Sequence, residues 1–236
     1  MPAKTTIGTR EFLWGSRTFV MGVLNVTPDS FSGDGVGSDL AKAREIALRF
    51  QEWGADIVDV GGESTRPPGI YGGAGPISAD AEKRRILPGI EELSPLLNIP
   101  VSVDTYKAEV AKAAVAAGAS MINDVWGLRR DPDVAPFAAE AGVPVVLMHN
   151  QESTEYDDLV PDVIASLRRL GGRAEGAGVR TENVILDPGM GFGKTAEQNL
   201  ELLRRLDELR TLGRPLLVGI SRKSTIGYVL DLPVEE

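Results

Sequence analysis

The chain has 236 residues, 42% of them hydrophobic and 25% charged, with a net charge of −9, one His and no Cys. Disulfides, thiolate metal sites and a multi-histidine zinc centre are excluded, and the acidic balance argues against nucleic acid or an anionic membrane as partner. An anionic small substrate stays compatible, because a few local donors outweigh the global field. The length suits one α/β barrel domain over 1–236. No apolar stretch is long enough to span a membrane, and the polar Met1–Arg10 start carries no secretory apolar core, so a cytoplasmic location is expected.

In chain order, Thr18–Val26 predicts a buried strand, and Pro28 with Gly33, Gly35 and Gly37 predicts a loop after it. Asp39 is placed to cap a helix running to about Trp53, with Leu40, Ala43, Ala47, Leu48 and Phe50 at helical spacing. Strand Ile57–Val60 precedes a second long loop, Gly61–Pro76, with six glycines and three prolines. Ser78 opens a helix through Leu93, with Glu82 one residue beyond capping-box spacing. Strand Pro100–Val103, helix Lys107–Ala117, strand Ser120–Asn123, helix Val134–Ala141 and strand Pro144–Met148 come next. Helix Asp158–Ala177, strand Val184–Leu186, helix Gln198–Leu212 and strand Pro215–Ile220 complete the series.

Strands alternating with helices imply βαβ units and a parallel sheet. An open doubly wound sheet would place G-x-G-x-x-G directly after the first strand; this chain has Asn25-Val-Thr-Pro-Asp-Ser-Phe-Ser there. Seven apolar runs each end on a polar residue: Asn25, Asp59, Asp104, Asn123, His149, Asp187 and Ser221. Polar groups at every strand end favour a (β/α)8 barrel, whose chemistry gathers on one face.

Asp59, Asp104, Asn123 and Asp187 are therefore expected at one mouth. Each alone could cap the next helix; four together favour a site that binds a guanidine-like edge, or Mg²⁺. Asn25 with Thr27, Asp29, Ser30 and Ser32, and the Gly61-Gly-Glu-Ser-Thr-Arg-Pro-Pro loop with Thr65 and Arg66, suit a phosphate or diphosphate. Gly219-Ile-Ser-Arg-Lys-Ser places Lys223 to reach inward as a donor, and Ser224 at a helix start able to hold a carboxylate. Asp187-Pro-Gly-Met-Gly-Phe-Gly-Lys-Thr echoes a nucleotide phosphate loop but has Pro188 where its first Gly belongs, which excludes a triphosphatase. His149 is a possible base, with a structural hydrogen bond the favoured role. Trp14, Trp53 and Trp126 are expected to be packing residues, Trp126 with the least support.

Seven motifs together carry a resemblance: Asn25-Val-Thr-Pro-Asp-Ser-Phe-Ser, Asp59-Val-Gly-Gly-Glu-Ser-Thr-Arg-Pro, Asp104-Thr-Tyr-Lys, Ile122-Asn-Asp-Val, Leu147-Met-His, Asp187-Pro-Gly-Met-Gly-Phe-Gly-Lys-Thr and Ser221-Arg-Lys-Ser. In this order, from about Thr18 to Gly227, the chain closely resembles the dihydropteroate synthases, the sulfonamide targets of folate biosynthesis. The resemblance implies a pterin-binding TIM barrel that joins 6-hydroxymethyl-7,8-dihydropterin diphosphate to p-aminobenzoate with Mg²⁺, a homodimer in its full-length form.

By position, the resemblance implies a pterin pocket of Asp104, Asn123, Asp187 and Lys223, with Asp187 taking the guanidine-like edge and Lys223 donating to the ring. It implies Thr65 and Arg66 on the diphosphate, Asn25 on Mg²⁺, Ser224 on the aminobenzoate carboxylate, and Met148, Phe192 and Gly219 as further substrate-lining residues. Asp104 and Lys223 are the expected catalytic pair. Two loops differ in detail from the family, with Ser32-Gly-Asp-Gly in the first and Pro67-Pro68 in the second. Sixteen residues come after Ile220, so the last strand and helix and the family's closing Arg-x-His are expected to be missing from this chain. The alternatives are a pterin-binding methyltetrahydrofolate methyltransferase and an inactive truncated homologue.

Overall fold

The computed structural model describes residues 4–26, 39–63 and 75–232. The described chain opens on an antiparallel hairpin, β1 (Lys4–Ile7) and β2 (Arg10–Leu13). The barrel wall begins with β3 (Met21–Asn25), α1 (Leu40–Glu52), β4 (Ile57–Gly61), α2 (Ala79–Leu96), β5 (Val101–Asp104) and α3 (Ala108–Ala116). It continues through β6 (Met121–Asp124), α4 (Val134–Ala141), β7 (Val145–Met148), α5 (Leu159–Gly176), β8 (Val184–Asp187), α6 (Ala196–Arg204) and α7 (Ser224–Leu230). β3 to β8 form one parallel sheet in sequence order, each strand beside the next. This is the consecutive βα arrangement of a (β/α)8 barrel wall.

The helix starts arise from local chemistry. Asp39 accepts from Lys42 N at 3.0 Å and Ser78 from Ala81 N at 3.2 Å, each satisfying an orphan donor of its first turn. Thr195 and Gln198 form a reciprocal capping box at the start of α6.

Strand parity divides the core in two. Outward side chains such as Val58, Val60, Val101, Val103, Ile122, Leu147 and Leu186 pack against the helices with Ile86, Ile90, Leu93, Val110 and Leu167. Inward side chains at the strand starts, Ile57, Met121, Val146 and Ile185, pack against Ile7 and Phe12 of the hairpin. The hairpin thus plugs the amino-terminal end of the barrel, where each of its two large buried side chains contributes about 2–3 kcal/mol of hydrophobic burial. The sequence pattern does not reveal this element: β1 and β2 are four residues each and strongly polar, and only Ile7 and Phe12 betray the inward face.

Two expected boundaries are corrected. Pro215–Ile220 does not form a strand. It touches the sheet through a single parallel bridge, Leu186 to Leu216, flanked by Leu186 N to Pro215 O at 3.0 Å and Leu217 N to Leu186 O at 2.9 Å. Pairing stops after these two bonds, so the run makes one bridge where β3, also at a sheet edge, makes a five-residue ladder. The helix expected over Gln198–Leu212 divides at Arg205, beyond which Leu206–Leu212 is 3₁₀. No helix among the described residues is long and apolar enough to cross a membrane.

Candidate active site

The alternation that puts Ile57, Met121, Val146 and Ile185 at the barrel floor puts the next inward positions at its mouth: Asp59 and Gly61, Ser102 and Asp104, Asn123, Met148 and Asp187. Asn25, Gly61, Asp104 and Asn123 are laterally in register. Gly61 is the gap in this row. A Cβ built there would sit 3.4 Å from Asp104 Oδ2 and 3.6 Å from Asn25 Oδ1. Asp59 lies one layer deeper and accepts from Asn123 Nδ2 at 2.9 Å. Asp124 faces the helices instead, accepting from Trp126 N and Leu128 N at 2.9 and 2.7 Å. It holds the β6–α4 turn rather than a ligand.

Burial pushes the Asp59 carboxyl up. It pushes Asp104 up further, where the charges of Asp59, Glu82, Asp124 and Glu63 add to the effect. Asp104 Oδ1 is buried without a hydrogen-bond partner among the described residues. A ligand that brings N–H donors and positive charge would satisfy this oxygen and relieve the repulsion.

Asp187 closes the mouth from β8. Burial raises its carboxyl to about 6, against a hydrogen bond from Gly189 N at 2.7 Å and the charges of Lys223 and Lys194. Lys223 arrives from Arg222, a non-glycine residue at φ 53° that turns the chain sharply. Its Nζ stands 4.4 Å over the Phe192 ring, and Phe192 packs with Val125 and Met148 beside Trp126. One side of the mouth is therefore an apolar face under a cation, and the other a row of acceptors.

The root of the second loop is clamped. Lys107 pairs with both Glu63 and Glu82, the latter 1% exposed. Burial works against the Lys107 charge, but the two carboxylates outweigh it. Tyr106 donates to Glu63 at 3.1 Å, and Arg85 donates to Gly62 O at 2.9 Å. The sequence pattern does not reveal this clamp, since helix-capping spacing is the only signal that Glu82 carries.

The structure brings Asn25, Asp104, Asn123, Asp187, Met148, Phe192 and Lys223 together around the mouth. Thr65 and Arg66, with Thr27, Asp29, Ser30 and Ser32, lie outside the described residues. Gly219 lies on the segment leading to Lys223, and exposed Ser224 is the first residue of α7. His149 is held near pH 3 by burial and by the charge of Lys194, so it stays neutral and is a poor base. Its Nδ1 lies 3.0 Å from Lys194 Nζ, which gives it the structural hydrogen bond expected of it. Trp14 packs against Phe12 and Phe19 as expected. Trp53 does not. It is 70% exposed with Arg49 stacked 4.6 Å away, because it comes after the last turn of α1 on the solvent side. Trp126 is half-buried, with Arg130 4.2 Å over its ring.

For a metal, Asn25 offers one half-buried amide oxygen beside Asp104, and no cluster of three or more His, Asp or Glu among the described residues could hold an ion. That donor set suits Mg²⁺, which keeps several waters and takes its remaining ligands from substrate phosphates.

The family described as pterin binding enzyme matches residues 21–236. The dihydropteroate synthase of Clostridium beijerinckii is 50% identical over 230 residues, covering 98% of this chain and 84% of that protein. The dihydropteroate synthase of Bacillus subtilis is 51% identical over 220 residues, covering 93% and 75%. Among solved structures, the Xanthomonas albilineans dihydropteroate synthase with 4-aminobenzoic acid superposes with a TM-score of 0.90 at 43% identity, covering 100% of this chain and 84% of that one. The Clostridium difficile enzyme in the presence of pteroic acid gives 0.88 at 47%, covering 95% and 84%.

Proposed function

The chain belongs to the dihydropteroate synthase family of pterin-binding enzymes, and on that premise we propose how its mouth condenses 6-hydroxymethyl-7,8-dihydropterin diphosphate with p-aminobenzoate to give 7,8-dihydropteroate and diphosphate. The observation that carries the reading is the row of inward acceptors. Asp104 Oδ1 lacks a partner among the described residues, Asn123 gives an amide N–H to Asp59 and so keeps its amide oxygen for a ligand, and Asp187 is buried at the far side. A pterin presents adjacent N–H groups along one edge, and such an edge fits a carboxylate in a bidentate pair. Lys223 supplies the donor for the ring's own acceptors, and the Phe192–Met148 face covers the ring plane.

In the reaction the CH₂–O bond breaks, its electron pair leaves with diphosphate, and the aminobenzoate nitrogen bonds to the CH₂ carbon and loses a proton to solvent. Positive charge spreads into the electron-rich pterin as the bond breaks, and an ionised Asp104 beside the ring stabilises it. An aryl amine is already nucleophilic at neutral pH, so a neutral His149 that does no base work is consistent. Asn25 would hold Mg²⁺, whose chemistry when bound is to offset charge on the diphosphate. Thr65 and Arg66 belong to the diphosphate side and Ser224 to the aminobenzoate carboxylate in this reading. Sulfonamides, as aminobenzoate mimics, are competitors in it, and a cytosolic homodimer is its setting.

The test is coupling of the two substrates with Asp104→Asn as control. Turnover is expected from the native chain, with competitive slowing by a sulfonamide and loss of about a hundredfold or more in Asp104→Asn. Full activity in that variant would remove the charge-stabilising role.

A further inference from the structure

Lys194 sits at the end of the glycine-rich turn after β8, and it is 6% exposed. A lysine ammonium has three N–H donors and no acceptor. Here all three are used, on His149 Nδ1, Gly189 O and Phe192 O, each at 3.0 Å. The turn they brace is otherwise awkward. Gly189 has φ 71°, and a Cβ there would lie 1.8 Å from His149 O; Gly193 has φ 57°, and a Cβ there would lie 2.4 Å from Gln151 O. The backbone is thus pressed against the segment after β7, with carbonyls turned inward that only a buried donor can satisfy.

The same residues carry the site. Gly189, whose carbonyl Lys194 binds, donates its N–H to Asp187 Oδ1 at 2.7 Å. Phe192, whose carbonyl Lys194 also binds, presents the ring beneath Lys223. We propose that Lys194 is the positioning residue of the pterin pocket: its ammonium fixes the turn that aims Asp187 and Phe192 at the pterin. The proposal rests on the pterin reading of the mouth and deepens it.

A charged Lys194 needs a lone pair on His149 Nδ1, and His149 is neutral, so its proton is on Nε2. The groups facing Lys194 are Asp187 from β8, Lys223 ahead of α7 and His149 after β7, with Arg129 and Arg169 acting on His149. Burial lowers the Lys194 ammonium to about 7, with Asp187 opposing that fall and Lys223 adding to it. The charge that holds the turn is therefore present below about pH 7 and lost above it, whereas Asp187 needs a pH above about 6 to ionise.

The test measures affinity for 6-hydroxymethylpterin, a pterin without the leaving group, in the native chain and in Lys194→Met, Lys194→Arg and Asp187→Asn. Lys194→Met is expected to weaken pterin at least about tenfold, with the KM for p-aminobenzoate unchanged and Lys194→Arg recovering part of the loss. If Lys194→Met binds pterin like the native chain while Asp187→Asn does not, the positioning role is wrong and the pterin reading stands. If no form binds pterin, that reading fails and the proposal goes with it. Should Lys194→Met not fold, the comparison of the native chain with Lys194→Arg across pH decides. The ratio of their affinities is expected to fall about tenfold from about pH 6 to about pH 9, as only the native cation is lost; a flat ratio overturns the proposal.

Discussion

Asn123 donates its amide N–H to Asp59 Oδ2 over 2.9 Å, and this bond decides which end of the amide looks into the mouth. With nitrogen spent on a residue one layer down, the oxygen is the end left for a ligand. Asp59 thereby acts on the pterin side of the pocket without being placed to touch it. Asp59→Asn, able to donate as well as accept, frees the Asn123 amide to turn over. The expected result is a pterin KM raised about ten- to a hundredfold with the aminobenzoate KM unchanged, read from steady-state kinetics with each substrate varied in turn. Equal changes in both would mean that the bond supports the barrel as a whole.

Asp187 opposes folding when ionised. Its carboxyl titrates near 6 in the folded protein, above the ordinary 3.8. The folded state therefore binds the proton more tightly. The cost is absent below about pH 4, grows between the two values, and is complete above about pH 6, at about 3 kcal/mol with the help of its two lysine partners already included. Asp187→Asn can keep the bond from Gly189 N. It is expected to melt no lower than the native chain at about pH 8, while losing coupling activity. A Tm several degrees below native at that pH would contradict the burial argument.

Lys107 has the opposite character. Removing it leaves Glu63 and Glu82 buried without their cation. Lys107→Met is expected to cost about 3–5 kcal/mol near neutral pH. The deficit should shrink as the pH falls and the stranded Glu82 takes up a proton, because burial already raises it. Denaturant melts at two pH values check this; a deficit independent of pH would mean that packing of the lysine stem, not its charge, is what matters.

Gly61 separates Asn25 from Asp104 at the mouth. Its backbone is not left-handed, and an added methyl would meet its neighbours at 3.4 Å or more. Gly61→Ala is therefore expected to fold with native stability and to lose activity about tenfold or more, since the methyl occupies space between two site residues. A melting scan and a coupling assay on one preparation suffice, and an active variant would show that this gap is not used.

Sequence and structure part ways at identifiable places. Asp104, Asn123 and Asp187 are legible because an apolar run ending on a polar residue marks the carboxyl end of a barrel strand, and parity then sends those side chains inward. The caps at Asp39 and Ser78 are legible from single residues. What stays hidden is long-range. Glu82 meets Lys107 across 25 positions, and Lys194 meets His149 across 45. No periodicity encodes either pairing. Nor does composition distinguish Pro215–Ile220 from the other apolar runs, although it makes only one bridge to the sheet.

The central claim is that this mouth couples a dihydropterin diphosphate to an aryl amine. The most direct measurement tracks both products with time, using purified chain, Mg²⁺ and the two substrates. The predicted result is 7,8-dihydropteroate and diphosphate in equal amounts, with neither formed when p-aminobenzoate is left out or Asp104 is replaced by Asn. Diphosphate released without dihydropteroate, or no product from either substrate, would contradict it.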